Sequence, residues 1–246
     1  MSQPRDQIAP ATDLFDCYVP RTGFVLSSAM QGIAVRGQPA AVVAVSPGPD
    51  QVARAAALAS SALAAAGPNA VITGALPFDG APVAFLQVAG DVVRSESPLA
   101  QFDLHAAERP QVVNTAHEPD EAAYEDAVAE ALRSISDGSV DKVVLARTLV
   151  IETDQALDPG TIARSLRAAD PSAYVFAVGL PGSAHALVGA SPELVVRRRG
   201  MRVASDPLAG SAPRDVNAAK DRSNGQALLD SVKDRREHRI VADAVA

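Results

Sequence analysis

The 246-residue chain has one cysteine, no tryptophan and only 4% aromatic residues. With Cys17 alone, an intrachain disulfide and a cysteine zinc cluster are both excluded, and the usage fits a reducing compartment. Scarce aromatics leave Ala and Val to fill much of the interior. No apolar run approaches membrane-spanning length. The start, MSQPRDQIAPATDL, lacks the apolar segment of a secretory signal. The expected setting is the cytoplasm, with no membrane partner. Net charge is −7, so the basic face of a nucleic-acid binder is not expected; an anionic substrate would need local cations or a metal. G-x-G-x-x-G, Walker, H-E-x-x-H and G-x-S-x-G motifs are all missing. The four histidines, His105, His117, His185 and His238, have no metal-ligand spacing.

What is present is a globular composition, 48% apolar, long enough for one large domain or two small ones. No internal repeat is visible. Residues up to about 50 read as short strands and turns. DQVARAAALASSALAAAG reads as a helix opened by Asp50 and closed by Gly67 with Pro68 beyond. VITGALPFDG and APVAFLQVAG read as strands around a turn, and residues 94–118 as a polar, irregular surface linker. PDEAAYEDAVAEALRSI carries Tyr124, Ala127, Val128, Ala131 and Ile135 on one helical face. DKVVLARTLVIET reads as a strand and GTIARSLRAAD as a short helix. AYVFAVGL, HALVGAS and ELVVRRRGMRVAS read as strands, the last folding as a hairpin at Arg199–Gly200. DPLAGSAPRD is a loop. One long helix starts near Asn217 or Asp221 and runs to the end of the chain. Runs of adjacent strands between helices give a mixed class with antiparallel sheet.

Three places carry candidate chemistry. Lys142 opens the apolar run Val143–Val144–Leu145, where a desolvated lysine could serve as a base; a strand-end lysine snorkelling to water is the commoner case. Glu193 follows GASP at a strand start, where a solvent-facing turn glutamate is equally natural. Asp230, Asp234 and Glu237 fall at i, i+4 and i+7 of the last helix and would share a face. Such a face could hold a hard divalent cation, or be a solvated face laced with pairs such as Lys233–Glu237.

Taken together and in order, DKVVLAR, LVGASPELVVR, DPLAGSAPR and KDRREHRIV resemble the chorismate-utilising enzymes, and among them the isochorismate synthases of siderophore and menaquinone pathways. VITGALPFDG is similar to that family's N-terminal half. The resemblance runs from about residue 70 onward and is strongest from Lys142 to Val241. It implies an α+β fold of two antiparallel sheets packed face to face with helices outside. It also implies a magnesium-dependent reaction in which water adds at C2 of chorismate and the C4 hydroxyl departs, giving isochorismate.

By the same resemblance, Lys142 is the base that activates water and needs a lowered pKa. Glu193 is the general acid and needs a raised one. Glu237 is a ligand of Mg2+, with Asp234 one turn away. Gly210 and Ser211 lie against the substrate, Gly210 by close backbone approach. Lysine at position 142 points to water as nucleophile. Ala209 argues against an aminodeoxychorismate-forming relative, which carries a lysine there. Salicylate synthases, which go on to eliminate pyruvate, usually have threonine where this chain has Ser211; a lyase of that kind is the alternative, as is a non-catalytic domain derived from such an enzyme.

Residues 1–246 are expected to form the N-terminal portion of a single chorismate-utilising domain, with about 1–118 variable and about 119–246 beginning the catalytic part. The chain is expected to be cut short at its C-terminus, inactive alone, and monomeric when complete.

Overall fold

The computed structural model describes residues 13–78, 83–95, 110–180 and 184–246. The start of the chain before Asp13, the turn at 79–82, His105 and residues 96–109 of the expected linker lie outside the described residues. The class is α+β, and every strand pairing is antiparallel. The chain divides into two compact units that interleave along the sequence: the described residues up to 95 with Leu157–Pro192, and Pro110–Ala156 with Glu193–Ala246.

The first unit is built on two sheets. One has the order β10-β9-β1-β2-β6, from β1 (Phe24–Ser27), β2 (Gly32–Val35), β6 (Val92–Ser95), β9 (Tyr174–Gly179) and β10 (Ala186–Ser191). The other has the order β3-β5-β4, from β3 (Ala41–Val45), β4 (Val71–Ala75) and β5 (Ala84–Ala89). Side chains alternate across a strand, so one face can be wholly apolar. Val25, Ala34, Val175 and Ala177 use that alternation to meet Ala163 of α3 (Pro159–Ala169) and the 3₁₀ turn Leu14–Cys17. The second sheet packs Val45, Ala84 and Leu86 against Ala55 of α1 (Gln51–Ala66). Most of the buried residues in the two clusters are Ala or Val, in keeping with the scarcity of aromatics. Cys17 is buried and its thiol is pushed up by that burial.

Helix α1 has the expected limits, but Asp50 does not cap it through its side chain: the residue is left-handed (φ 58°) and makes no cap hydrogen bond. Gln51, buried in the first turn, instead donates to the Val45 carbonyl at 3.1 Å. Gly67 closes the helix with φ 95°, a region that favours glycine.

In the second unit, β7 (Val112–Glu118) pairs with β8 (Thr148–Thr153) on either side of α2 (Glu121–Ser136). Asp120 caps α2 by accepting from the Ala123 amide at 2.9 Å. A hairpin of β11 (Leu194–Arg199) and β12 (Arg202–Asp206) turns at Gly200 (φ 59°). Two helices follow, α4 (Ala218–Asp230) and α5 (Val232–Val245).

Three sequence readings are corrected here. Residues 112–118 are strand, not irregular linker. The strand expected over 141–153 begins only at Thr148. Thr148 pairs with Glu118, and the next residue on the partner is Pro119, which has no N–H to continue the ladder. Lys142 therefore does not open a strand. The single terminal helix is two helices. Ser231 is extended (φ −64°, ψ 115°), ends α4, and caps α5 by accepting from the Asp234 amide at 3.2 Å. Asp230 thus ends a different helix from Asp234 and Glu237, and accepts from Gln226 Nε2 at 3.0 Å instead. Among the described residues no helix is long and apolar enough to cross a membrane.

Candidate active site

The six residues given roles by the family resemblance all fall in the second unit, and contacts link most of them. Lys142, in the irregular segment before β8, places Nζ 3.4 Å from Glu237 Oε1 on α5; the two side chains are 19% and 27% exposed. Asp234 lies one turn before Glu237, so both carboxylates leave the helix on the same side. Lys233 joins them: its Nζ donates to Glu237 Oε2 at 2.9 Å and to Asp234 Oδ1 at 3.3 Å.

The loop between β12 and α4 reaches the same place. Gly210 has φ 80°, and a Cβ built there would lie 3.0 Å from Asp234 Cβ and 3.2 Å from Asp234 Oδ1. The backbone conformation favours glycine, and an added Cβ would require Asp234 to give way slightly. The close approach this glycine makes in the structure is to a carboxylate of α5. Ser211 follows it on the exposed loop. Glu193, just before β11, accepts from the Leu208 amide at 3.3 Å through Oε1, so the loop is held at its near end by the candidate acid. Its far end is fastened by Arg214, which donates to both oxygens of Asp221 at 2.8 and 3.0 Å, and by Asn224, which donates to the Pro213 carbonyl at 2.8 Å.

The electrostatics follow these contacts. Hydrogen bonding from Lys233 holds the Glu237 carboxyl below the usual range, and Lys142 adds to it. Asp234 is also held low, first by Ser231 and then by Lys233. The Lys233 ammonium is correspondingly pushed up, mainly by Glu237. Asp221 is lowered by Arg214 and then by the Asp215 amide.

Among the described residues, no group of three or more His, Cys, Asp and Glu side chains is placed to hold a metal ion. Asp234 and Glu237 nevertheless suit one hard cation. Magnesium uses one or two protein carboxylates and completes its shell with water and substrate oxygens.

Sequence reasoning missed Ser231 and the Arg214–Asp221 clamp, and saw Lys233 only as a partner for Glu237. A signal for Ser231 was present: serine with an acid three residues on is a helix-start signature. The clamp had none, because it joins a loop to a helix by side chains.

Residues 84–246 match the family model described as chorismate binding enzyme. The isochorismate synthase DhbC of Bacillus subtilis is 38% identical over 184 residues, covering 72% of this chain and 46% of its own length. EntC of Escherichia coli K12, also an isochorismate synthase, is 38% identical over 193 residues, covering 77% of this chain and 49% of its own. A solved structure of DhbC from Bacillus anthracis superposes with a TM-score of 0.81 at 31% identity, covering 96% of this chain and 62% of that one. The chain therefore spans about half the length of the curated relatives it matches.

Proposed function

This chain belongs to the chorismate binding enzyme family, and on that premise we propose that its protein is an isochorismate synthase serving siderophore or menaquinone biosynthesis in the cytoplasm, as a monomer. The observation that supports this reading most directly is the meeting of Lys142 with Glu237, beside Asp234 and the Gly210 loop, in the unit that holds three of the four family-like motifs whole and the fourth from Glu193 onward.

In this reading chorismate lies over the Gly210–Ser211 loop. The Lys142 amine takes a proton from water as its oxygen bonds to C2. The ring double bonds shift, and Glu193 gives its proton to the C4 hydroxyl, which leaves as water. One water enters and one departs, so substrate and product are isomers. Asp234 and Glu237 would hold magnesium, which when bound neutralises a substrate carboxylate. Glu193 also bonds the Leu208 amide, so the proton donor and the substrate loop are positioned by one contact.

The test is incubation of the complete protein with chorismate and magnesium, followed by addition of an isochorismate-consuming hydrolase. Isochorismate formation supports the proposal. Pyruvate released before the hydrolase is added would favour the salicylate-forming lyase, and no turnover of chorismate would favour a binding domain. Two variants separate the roles. Glu193→Gln lowers turnover at an unchanged magnesium requirement, whereas Glu237→Gln raises that requirement. Identical magnesium curves for the two would sink this division.

A further inference from the structure

We propose that Lys233 is a built-in counter-cation that holds the place between Asp234 and Glu237 until a divalent ion displaces it; this rests on the reading of those two carboxylates as magnesium ligands. Lys233 Nζ contacts one oxygen of each carboxylate, at 3.3 and 2.9 Å. Its stem is 78% exposed, so the ammonium can swing into water without breaking any packing. The helix dipole does not account for a lysine here. Lys233 lies in the first turn of α5, where the helix dipole favours anions such as Asp234 and disfavours cations. Only the two carboxylates compensate.

The consequence is selectivity by charge. Two carboxylates on adjacent turns repel each other unless a cation sits with them. The tethered ammonium supplies one positive charge at high local concentration, so a sodium or potassium ion gains nothing by replacing it. A divalent ion brings twice the charge and can. The lysine thus weakens divalent binding by an amount set by an exposed ion pair, and lowers by the same factor the affinity of monovalent ions, which are held too weakly to displace it.

The experiment is manganese binding to the 246-residue chain, followed by loss of the free-ion electron paramagnetic resonance signal, without substrate. The variants are Lys233→Met, Lys233→Arg and Glu237→Gln. Expected are a dissociation constant about two- to five-fold lower for Lys233→Met, the scale of one exposed ion pair, and a value near wild type for Lys233→Arg. Added potassium chloride should weaken manganese binding more in Lys233→Met than in wild type. Wild-type affinity in Lys233→Met, or tightening by Lys233→Arg equal to that by Lys233→Met, overturns the role of Lys233 while the ligand assignment stands if Glu237→Gln still loses binding. No manganese binding by any of the four, or full binding by Glu237→Gln, overturns the ligand assignment and the inference with it.

Discussion

The first unit buries Val25, Ala34, Val175 and Ala177 completely, and even a charged side chain, Arg167, is 1% exposed with its guanidinium bonded to the Ala173 and Ser28 carbonyls. No described residue of the second unit is buried to that degree; its apolar side chains Val144, Val195 and Leu229 are 76%, 78% and 67% exposed. Yet the second unit holds all the candidate site residues. The first is ordered by apolar burial, which is non-directional and little affected by salt. The second orders its loop and helices by polar contacts: Lys142–Glu237, Lys233–Glu237, Arg214–Asp221 and Lys220–Asp215. Such pairs contribute little individually when exposed and are screened by salt. In this chain apolar burial is concentrated in one unit and the proposed chemistry in the other, so mutations should separate the two properties.

The sharpest separation is at Lys142. In the complete enzyme, Lys142→Ala should reduce chorismate turnover by about 10²–10⁴, the usual cost of losing a general base, while the denaturation midpoint stays put. Near-normal turnover would make Lys142 only a counter-ion of Glu237. Next in size is the core. Phe15, 3% exposed in the cluster with Val25 and Val175, should cost about 3–5 kcal/mol when cut to alanine. Leu229→Ala in the second unit should change stability by under about 0.5 kcal/mol. Urea titrations of both variants test the contrast, and equal losses would erase it.

Smaller is Gly210→Ala. Its left-handed backbone should cost about 1–2 kcal/mol, and the new methyl must push Asp234 aside. Hydrogen exchange should quicken in the first turn of α5 and stay unchanged in β1 and β9. Equal quickening in both units would mean that the site loop is not independent of the core.

The smallest effect is with acid. Asp234 and Glu237 have folded-state values below their ordinary ones. What they contribute to α5 is therefore fully present above the unfolded value, about 4 for carboxyls, and is lost as pH falls through the lower folded values. Amide protection of α5 should fall over that acid range with little change in the first unit. Protection that stays flat down to pH 2 would show that these pairs do not hold the helix.

Periodicity and punctuation alone located α1, α2 and α3, most strands and the hairpin at Gly200, because those signals are local: an apolar stripe, an aspartate before it, a glycine after it. The ordered motifs likewise pointed to the family. Whether Val143–Val144–Leu145 forms a strand was not local. It depended on Pro119 of another segment ending the ladder opposite Thr148. The split at Ser231 was readable, yet the continuous apolar spacing across it favoured one helix, and only the extended backbone decided. The sequence by itself determined which residue types could act at the candidate site: one lysine, two acids on the last helix, a glutamate before a strand and a glycine fit for close backbone approach. The tertiary structure decided that Lys142 meets Glu237 and not solvent, that Gly210 lies against Asp234, and that Glu193 holds the loop at Leu208. Each of these is a contact between segments far apart in the chain, and such contacts are set by how loops close and pack, which no local pattern encodes.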